Sequence, residues 1–291
     1  GSGYDEVHLV GRGVSAFADT LGVLVLYLVG RRLYNRKIGL LSAALSAGSV
    51  ALIQQAHFFT VDSMANLLVA ISLLFAVRAQ HSNSWLNYAF FGVALGLAVA
   101  SRINTAPLAL LIVLAAYLYS KHGIWRASTI LRIGVSACFA IVIFRVAQPY
   151  AFDGPSFLGL GLNEEWVGNM LEVRKQINGD LDFPPNHQWT GRAALLFPLQ
   201  NMVQWGMGPA LGLASWVGFA WAGWQVLKKK NGYRRHLLPI VWSGAYFFWQ
   251  GTQWVKPIRY FLPIYPTLIL LGAWALYQFA NMQRRKRISR L

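Results

Sequence analysis

The sequence predicts an all-α fold: a polytopic transmembrane helical bundle of about nine spans, with one long outer loop containing an amphipathic helix. Three observations carry that expectation. Of the 291 residues, 56% are hydrophobic and only 12% charged, about half the charge of a soluble domain. Apolar runs approaching the ~20 residues needed to cross a bilayer recur along the chain. Basic residues, finally, gather in alternate gaps between those runs, the pattern that orients polytopic proteins.

The runs fall near 13–30, 38–56, 63–79, 86–101, 106–120, 130–148, 207–227, 237–254 and 261–279. Several are shorter than a full span, which suits helices that stop at a cavity. One set of gaps holds 18 of the 26 Lys and Arg, from Arg31, Arg32, Arg36 and Lys37, through Lys228, Lys229 and Lys230, to Arg284–Arg290. The positive-inside rule puts that set in the cytoplasm. Nine spans then leave the N-terminus outside with nothing resembling a signal peptide before it, as expected of a piece of a longer protein. The formal charge of +16 is explained by these anchors and by contacts to membrane lipids, so nucleic acid is not expected as a partner. A single Cys, Cys138, excludes a disulfide framework or a cysteine metal site.

The outer segment at about 149–206 contains six of the ten acids, so function is expected to face outward. Within it Asn163 precedes Glu164 and Glu165, Arg174 and Lys175 close a possible last turn, and Asn178-Gly179 supplies a stop. Trp166, Met170, Val173 and Ile177 recur at helical spacing, predicting an amphipathic helix on the outer face. Phe183-Pro184-Pro185-Asn186-His187-Gln188-Trp189 follows, with Trp189 able to stack on a sugar or simply to anchor a rigid turn at the interface.

Three groups could carry chemistry. Asp62 is the only carboxylate between Asp19 and Asp153 and sits in the short link His57–Met64. It could cap a helix, or ligate a hard divalent cation that completes its shell with water and phosphate. His57 could face the same cavity or be an interfacial polar anchor. Lys256-Pro257-Ile258-Arg259-Tyr260 places two cations at the outer entrance of the last span, where Arg259 could fork onto a phosphate with Tyr260 beside it, or snorkel to headgroups. Arg102 and Asn104 lie at an outer turn between two half-length apolar stretches, a break of the kind that lines binding sites. Convergence of the three would suit an anionic lipid headgroup.

The stretches GRGVSAFADTLGVLVLYLVGRRLYNRKIGLLSAAL, HFFTVDSMANLL, GVALGLAVASRINTAPLALL and KPIRYFLPIYPTLIL, in that order, resemble the GT-C class of polytopic glycosyltransferases that use polyprenyl-phosphate sugar donors. The likeness is to protein O-mannosyltransferases and the lipid A aminoarabinose transferase, and it extends over most of the chain. It implies that Asp62 is the second outer acid, binding a divalent cation such as Mg or Mn, and that Arg259 holds the lipid phosphate. The class carries another acid, often an Asp-Glu pair, early in its first outer loop. Here Asp5-Glu6 lies only a few residues before the first run and reads as the tail of that loop. The resemblance therefore implies that residues 1–291 are one GT-C-like transmembrane domain lacking its first span and most of that loop, and inactive alone.

The expected function is a multi-pass enzyme of the bacterial plasma membrane that transfers a sugar from a polyprenyl-phosphate donor to a hydroxyl of a lipid, glycan or protein acceptor. The reaction would be metal-assisted, would invert the anomeric centre and would take place outside. Asp62 and His57 are the candidate catalytic residues, and Arg259, Tyr260, Lys256, Arg102, Asn104 and Trp189 the candidate substrate contacts. A transporter would also use short helices and buried ions, but would show matching breaks in two halves, and only the break at 101–107 is evident. A noncatalytic membrane subunit is the other alternative.

Overall fold

The computed structural model describes residues 6–120, 125–154, 159 and 161–288, with side chains to 283. Asp5, Lys121 and Arg290, and the side chains of Arg284–Arg287, lie outside the described residues. Regular structure among those described is helical, apart from one isolated bridge between Phe152 and Leu162. The helices are α1 (Val7–Leu33), α2 (Arg36–Ala47), α3 (Val50–Ala56), α4 (Val61–His81), α5 (Trp85–Ser101), α6 (Leu110–Tyr119) and α7 (Ala127–Ala147). There follow α8 (Glu164–Asn178), α9 (Leu196–Asn201), α10 (Pro209–Leu227), α11 (Arg234–Thr252) and α12 (Tyr265–Ile288). Tight 3-10 segments, Ile103–Ala109 and Ile258–Ile264, lead into α6 and α12.

All nine apolar runs fold as helix, but among the described residues five helices are both long and apolar enough to span: α1, α4, α7, α10 and the stretch Ile258–Gln283. A sixth forms if α2 and α3, bent by 61° at Gly48-Ser49, count as one. The remainder fall short for visible reasons. Arg102 stops α5, Pro107 tightens the turn that follows, and α11 is diluted by Arg234, Arg235, His236 and Gln250.

Centre and periphery differ sharply. Within the spanning windows 83% of the Ile258–Gln283 stretch and 67% of α4 is buried, against 11% of α7. Packing relies on small residues that let backbones approach, as expected where lipid tails are as apolar as leucine. A Cβ on Gly92 of α5 would strike the Ser136 carbonyl of α7, and one on Gly218 of α10 would strike the Leu271 carbonyl of α12.

At one end of the bundle lie the basic links. There the Tyr34 hydroxyl meets His236 Nδ1 at 2.8 Å and the His236 ring packs edge-on to Trp274, tying α1, α11 and α12. Residues 149–206 lie at the opposite end, called the loop end below. The predicted helix forms there as α8, with Asn163 Oδ1 accepting from the Glu165 and Trp166 amides and Gly179 turning the chain at φ 84°. Three hydrogen bonds stitch this segment to the link between α11 and α12: Leu195 N to Gly251 O, Val255 N to Ile177 O, and Lys256 Nζ to Arg192 O.

Candidate functional site

The site begins with the way α4 starts. Thr60 occupies the cap position without a side-chain bond, so Asp62 is not the cap that its position before an apolar run allowed. It stands in the first turn, 5% exposed, where the partial positive charge of the helix N-terminus favours a carboxylate. Its Oδ1 accepts a hydrogen bond from Arg102 Nη1, an ion pair that joins residues forty positions apart. Arg102 can reach it because α5 ends there: the residue is extended, at φ −149° and ψ 111°, before the 3-10 segment with Pro107 resumes the span.

Arg102 is held on a second side as well. Its guanidinium carbon lies 4.9 Å from the centroid of the Tyr260 ring, and that of Arg259 lies 5.7 Å from the same ring. Tyr260 is fixed through its backbone: the Tyr246 hydroxyl donates to Tyr260 O at 3.0 Å while accepting from Asn104 Nδ2, also at 3.0 Å. Asp62, Arg102, Asn104, Tyr246 and Tyr260 thus form one connected set drawn from α4, the α5–α6 break, α11 and the entry to α12.

This set borders a cavity of about 690 Å³. Arg102, Asn104 and Tyr260 line it from the bundle, together with Trp249, Gln250 and Gln253 at the end of α11. From above, α8 contributes Met170, Val173, Arg174, Ile177 and Asn178. The charged groups of the lining are the cations Arg102 and Arg174, and it includes no carboxylate or imidazole. An anion is therefore the complementary ligand. An apolar groove of about 190 Å³ between α6 and α11 shares Pro107 and Trp249 with the cavity.

The other sequence candidates lie differently. His57 is exposed and its Nδ1 is engaged with the carbonyl of Ile53, one turn back on α3. Lys256 is buried, and its ammonium points to the Arg192 carbonyl, a structural tie; burial lowers its pKa from the ordinary lysine value. Trp189 packs edge-on against Phe197 at 6.2 Å and is not part of the cavity lining. Arg259 is exposed beside Tyr260. Arg174, Tyr246, Gln250 and Gln253 were not picked out by the sequence. Arg174 had a signal: it falls on the same helical face as Met170, Val173 and Ile177, where a cation among apolar residues marks a polar target.

Comparison with known proteins follows the same lines. Residues 5–147 match the family model described as dolichyl-phosphate-mannose-protein mannosyltransferase. No curated protein matches the sequence. Among solved structures, ArnT from Cupriavidus metallidurans bound to undecaprenyl phosphate superposes with a TM-score of 0.58 at 18% identity, over 91% of this chain and 46% of that one. The chain has the GT-C fold. Archaeoglobus fulgidus oligosaccharyltransferase AglB, in complex with an inhibitory peptide and a dolichol-phosphate, superposes on this chain with a TM-score of 0.64 at 16% identity, over 95% of this chain and 40% of that one. A complex of the same archaeal enzyme with Zn and sulfate gives 0.63 at 18% identity, over 95% and 38%. The chain thus spans less than half the length of these structures.

A divalent cation was expected at Asp62. The donor set of the described residues does not fit one by itself. Asp62 provides a single carboxylate whose charge Arg102 already matches, and no group of three His, Cys, Asp or Glu side chains occurs among the described residues. A hard cation ordinarily needs one or two carboxylates free to face it.

Proposed function

We propose that this chain forms the donor-binding half of a membrane glycosyltransferase that moves a sugar from a polyprenyl-phosphate carrier to an acceptor hydroxyl. The observation that carries this reading is the cavity itself, with Arg102 held by Asp62 at its floor, Arg174 on its roof and an apolar groove leading out of it. A phosphate joined to an isoprenoid needs both a cationic seat and a dry channel for its tail. ArnT, similar in fold, has been solved with undecaprenyl phosphate bound, and AglB with dolichol-phosphate.

In this reading the work of the chain is electrostatic. As the acceptor oxygen attacks the anomeric carbon, the glycosidic bond to phosphate breaks and negative charge grows on the departing lipid phosphate. Guanidinium groups already oriented toward that charge stabilise it without reorganising during reaction. Asp62 acts here as a positioning residue: it fixes the Arg102 fork and leaves the remaining N–H donors free for phosphate oxygens. Tyr260 and Arg259 hold the opposite flank. In this reading direct attack inverts the anomeric centre, and the gathering of basic links at the other end of the bundle supports a reaction on the face away from the cytoplasm, in the bacterial case outside the plasma membrane. The hydroxyl proton of the acceptor leaves on the departing lipid phosphate, a monoester whose second ionisation lies near neutrality, and no metal is invoked in the step.

The test is transfer by the full-length protein in lipid nanodiscs, supplied with a panel of polyprenyl-phosphate sugars. Release of free lipid phosphate together with a glycosylated acceptor is the expected result, at least 100-fold slower in Arg102→Met. Transfer at an unchanged rate in that variant removes the cavity from the reaction.

A further inference from the structure

A second, smaller cleft lies beside the donor cavity. It encloses about 280 Å³ and is lined by Asp182, Phe183, Asn186, His187, Thr190 and Trp254, with Gly179 at its edge. The wall between the two spaces is thin. Ile177 and Gln253 face the cavity, Gly179 and Trp254 face the cleft, and the bond from Val255 N to Ile177 O closes the wall between them.

The lining is assembled rather than incidental. Trp254 is braced against Gly179, whose φ of 84° admits the close approach; a Cβ there would lie 3.0 Å from the indole. Asn186 is fixed by donating its side-chain amide to Gln176 O at 3.0 Å. Asp182 Oδ1 lies 2.7 Å from His187 Nε2, a contact that orients both side chains at the rim of the cleft. Two aromatic rings, a hydroxyl, an amide and a hydrogen-bonded carboxylate and imidazole thus border a space smaller than the pockets that take drug-sized molecules.

We propose that this cleft binds one neutral pyranose ring. A pyranose presents an apolar C–H face that suits an aromatic ring and a rim of hydroxyls that both donate and accept, which matches carboxylate, amide, imidazole and hydroxyl partners. The central cavity, whose charged lining residues are the two cations Arg102 and Arg174, is suited to an anion; this cleft has no Lys or Arg in its lining. Its place next to the donor cavity makes the bound ring a sugar of a glycan or glycolipid acceptor, an assignment that rests on the transferase reading, whereas the binding of the ring does not.

The experiment is saturation-transfer NMR on the full-length protein in nanodiscs, without donor, using the methyl glycosides of glucose, mannose, galactose and N-acetylglucosamine. At least one should show saturable transfer, weakened about tenfold or more by Asp182→Asn and by Trp254→Leu and unchanged by Arg102→Met. Asp182 is 85% exposed, so its variant keeps the fold even if the Trp254 variant does not. Absence of binding by every glycoside, binding equal in Asp182→Asn and wild type, or binding of a Ser/Thr peptide at this cleft in place of the sugars would each overturn the proposal. Loss of transfer in Arg102→Met leaves it standing, because glycoside binding is read without donor.

Discussion

Asp62 and Arg102 illustrate how much one residue's role depends on its partner. A carboxylate at this depth is costly alone, and breaking a buried pair by removing one member costs about 3–5 kcal/mol because the other charge is stranded. Asp62→Asn is therefore expected to lower thermal stability, read from the melting temperature in detergent, and to slow transfer by releasing Arg102. The double variant Asp62→Asn with Arg102→Met should regain much of the lost stability and none of the activity, a separation of effects that a double-mutant cycle measures. The same pair makes a prediction about metal. Because Arg102 occupies Asp62, EDTA should leave the melting temperature of the wild-type protein unchanged, whereas Arg102→Met should gain measurable Mn binding by calorimetry. Metal-dependent stability in the wild type would show that a cation displaces Arg102.

Among the elements, α8 combines the most legible sequence signal with the least expected placement. Its cap, stripe and stop could all be read from Asn163, the Trp166–Ile177 spacing and Gly179, and each is present in the fold. Its role as a roof over the cavity could not be read that way, because that depends on what lies beneath the stripe. Arg174→Ala should raise KM for the lipid donor while leaving the melting temperature within about 1 °C, since an exposed side chain contributes little to stability. Gly179→Ala should cost about 1 kcal/mol or more, from its left-handed backbone and the pressure on Trp254, detectable as earlier proteolysis of the loop end. The broken helix at Arg102–Pro107 teaches the same lesson: the break was visible in the sequence, its partner was not.

For the whole molecule, backbone contacts between helices decide the fold. Gly218→Val would drive two methyl groups into the Leu271 carbonyl, so α10 and α12 must separate; overpacking of this kind costs about 1–3 kcal/mol. The variant is expected to lower the yield of monodisperse protein on size exclusion, whereas Gly13→Val, with open space around its Cβ, should not. Glycines of both kinds look alike in the sequence. The nine apolar runs likewise announce helices without saying which are central: α4 and the Ile258–Gln283 stretch form the middle of the bundle and α7 its edge, although α7 is the most apolar of the spanning helices. Apolarity in a bilayer reports contact with lipid as readily as burial in protein.

The sequence by itself determined that this is an all-helical membrane protein, where its apolar helices lie and that one of them breaks near Arg102, and that Asp62, Arg102, Asn104, Arg259 and Tyr260 are its unusual polar residues; the bend at Gly48-Ser49 within the run at 38–56 it did not show. Local chemistry fixes these things: hydropathy, caps, glycine and proline act within a few residues of themselves. Only the tertiary structure decided that Asp62 holds Arg102 rather than capping its helix, that Tyr246 fixes Tyr260, that Lys256 ties down the loop, and that His57 and Trp189 turn to local partners. The pairing of Asp62 with Arg102 and of Lys256 with Arg192 joins residues 40 and 64 positions apart, set by how the helices cross and by the small residues that let them approach; the other three turn on which of several nearby partners the packing leaves within reach.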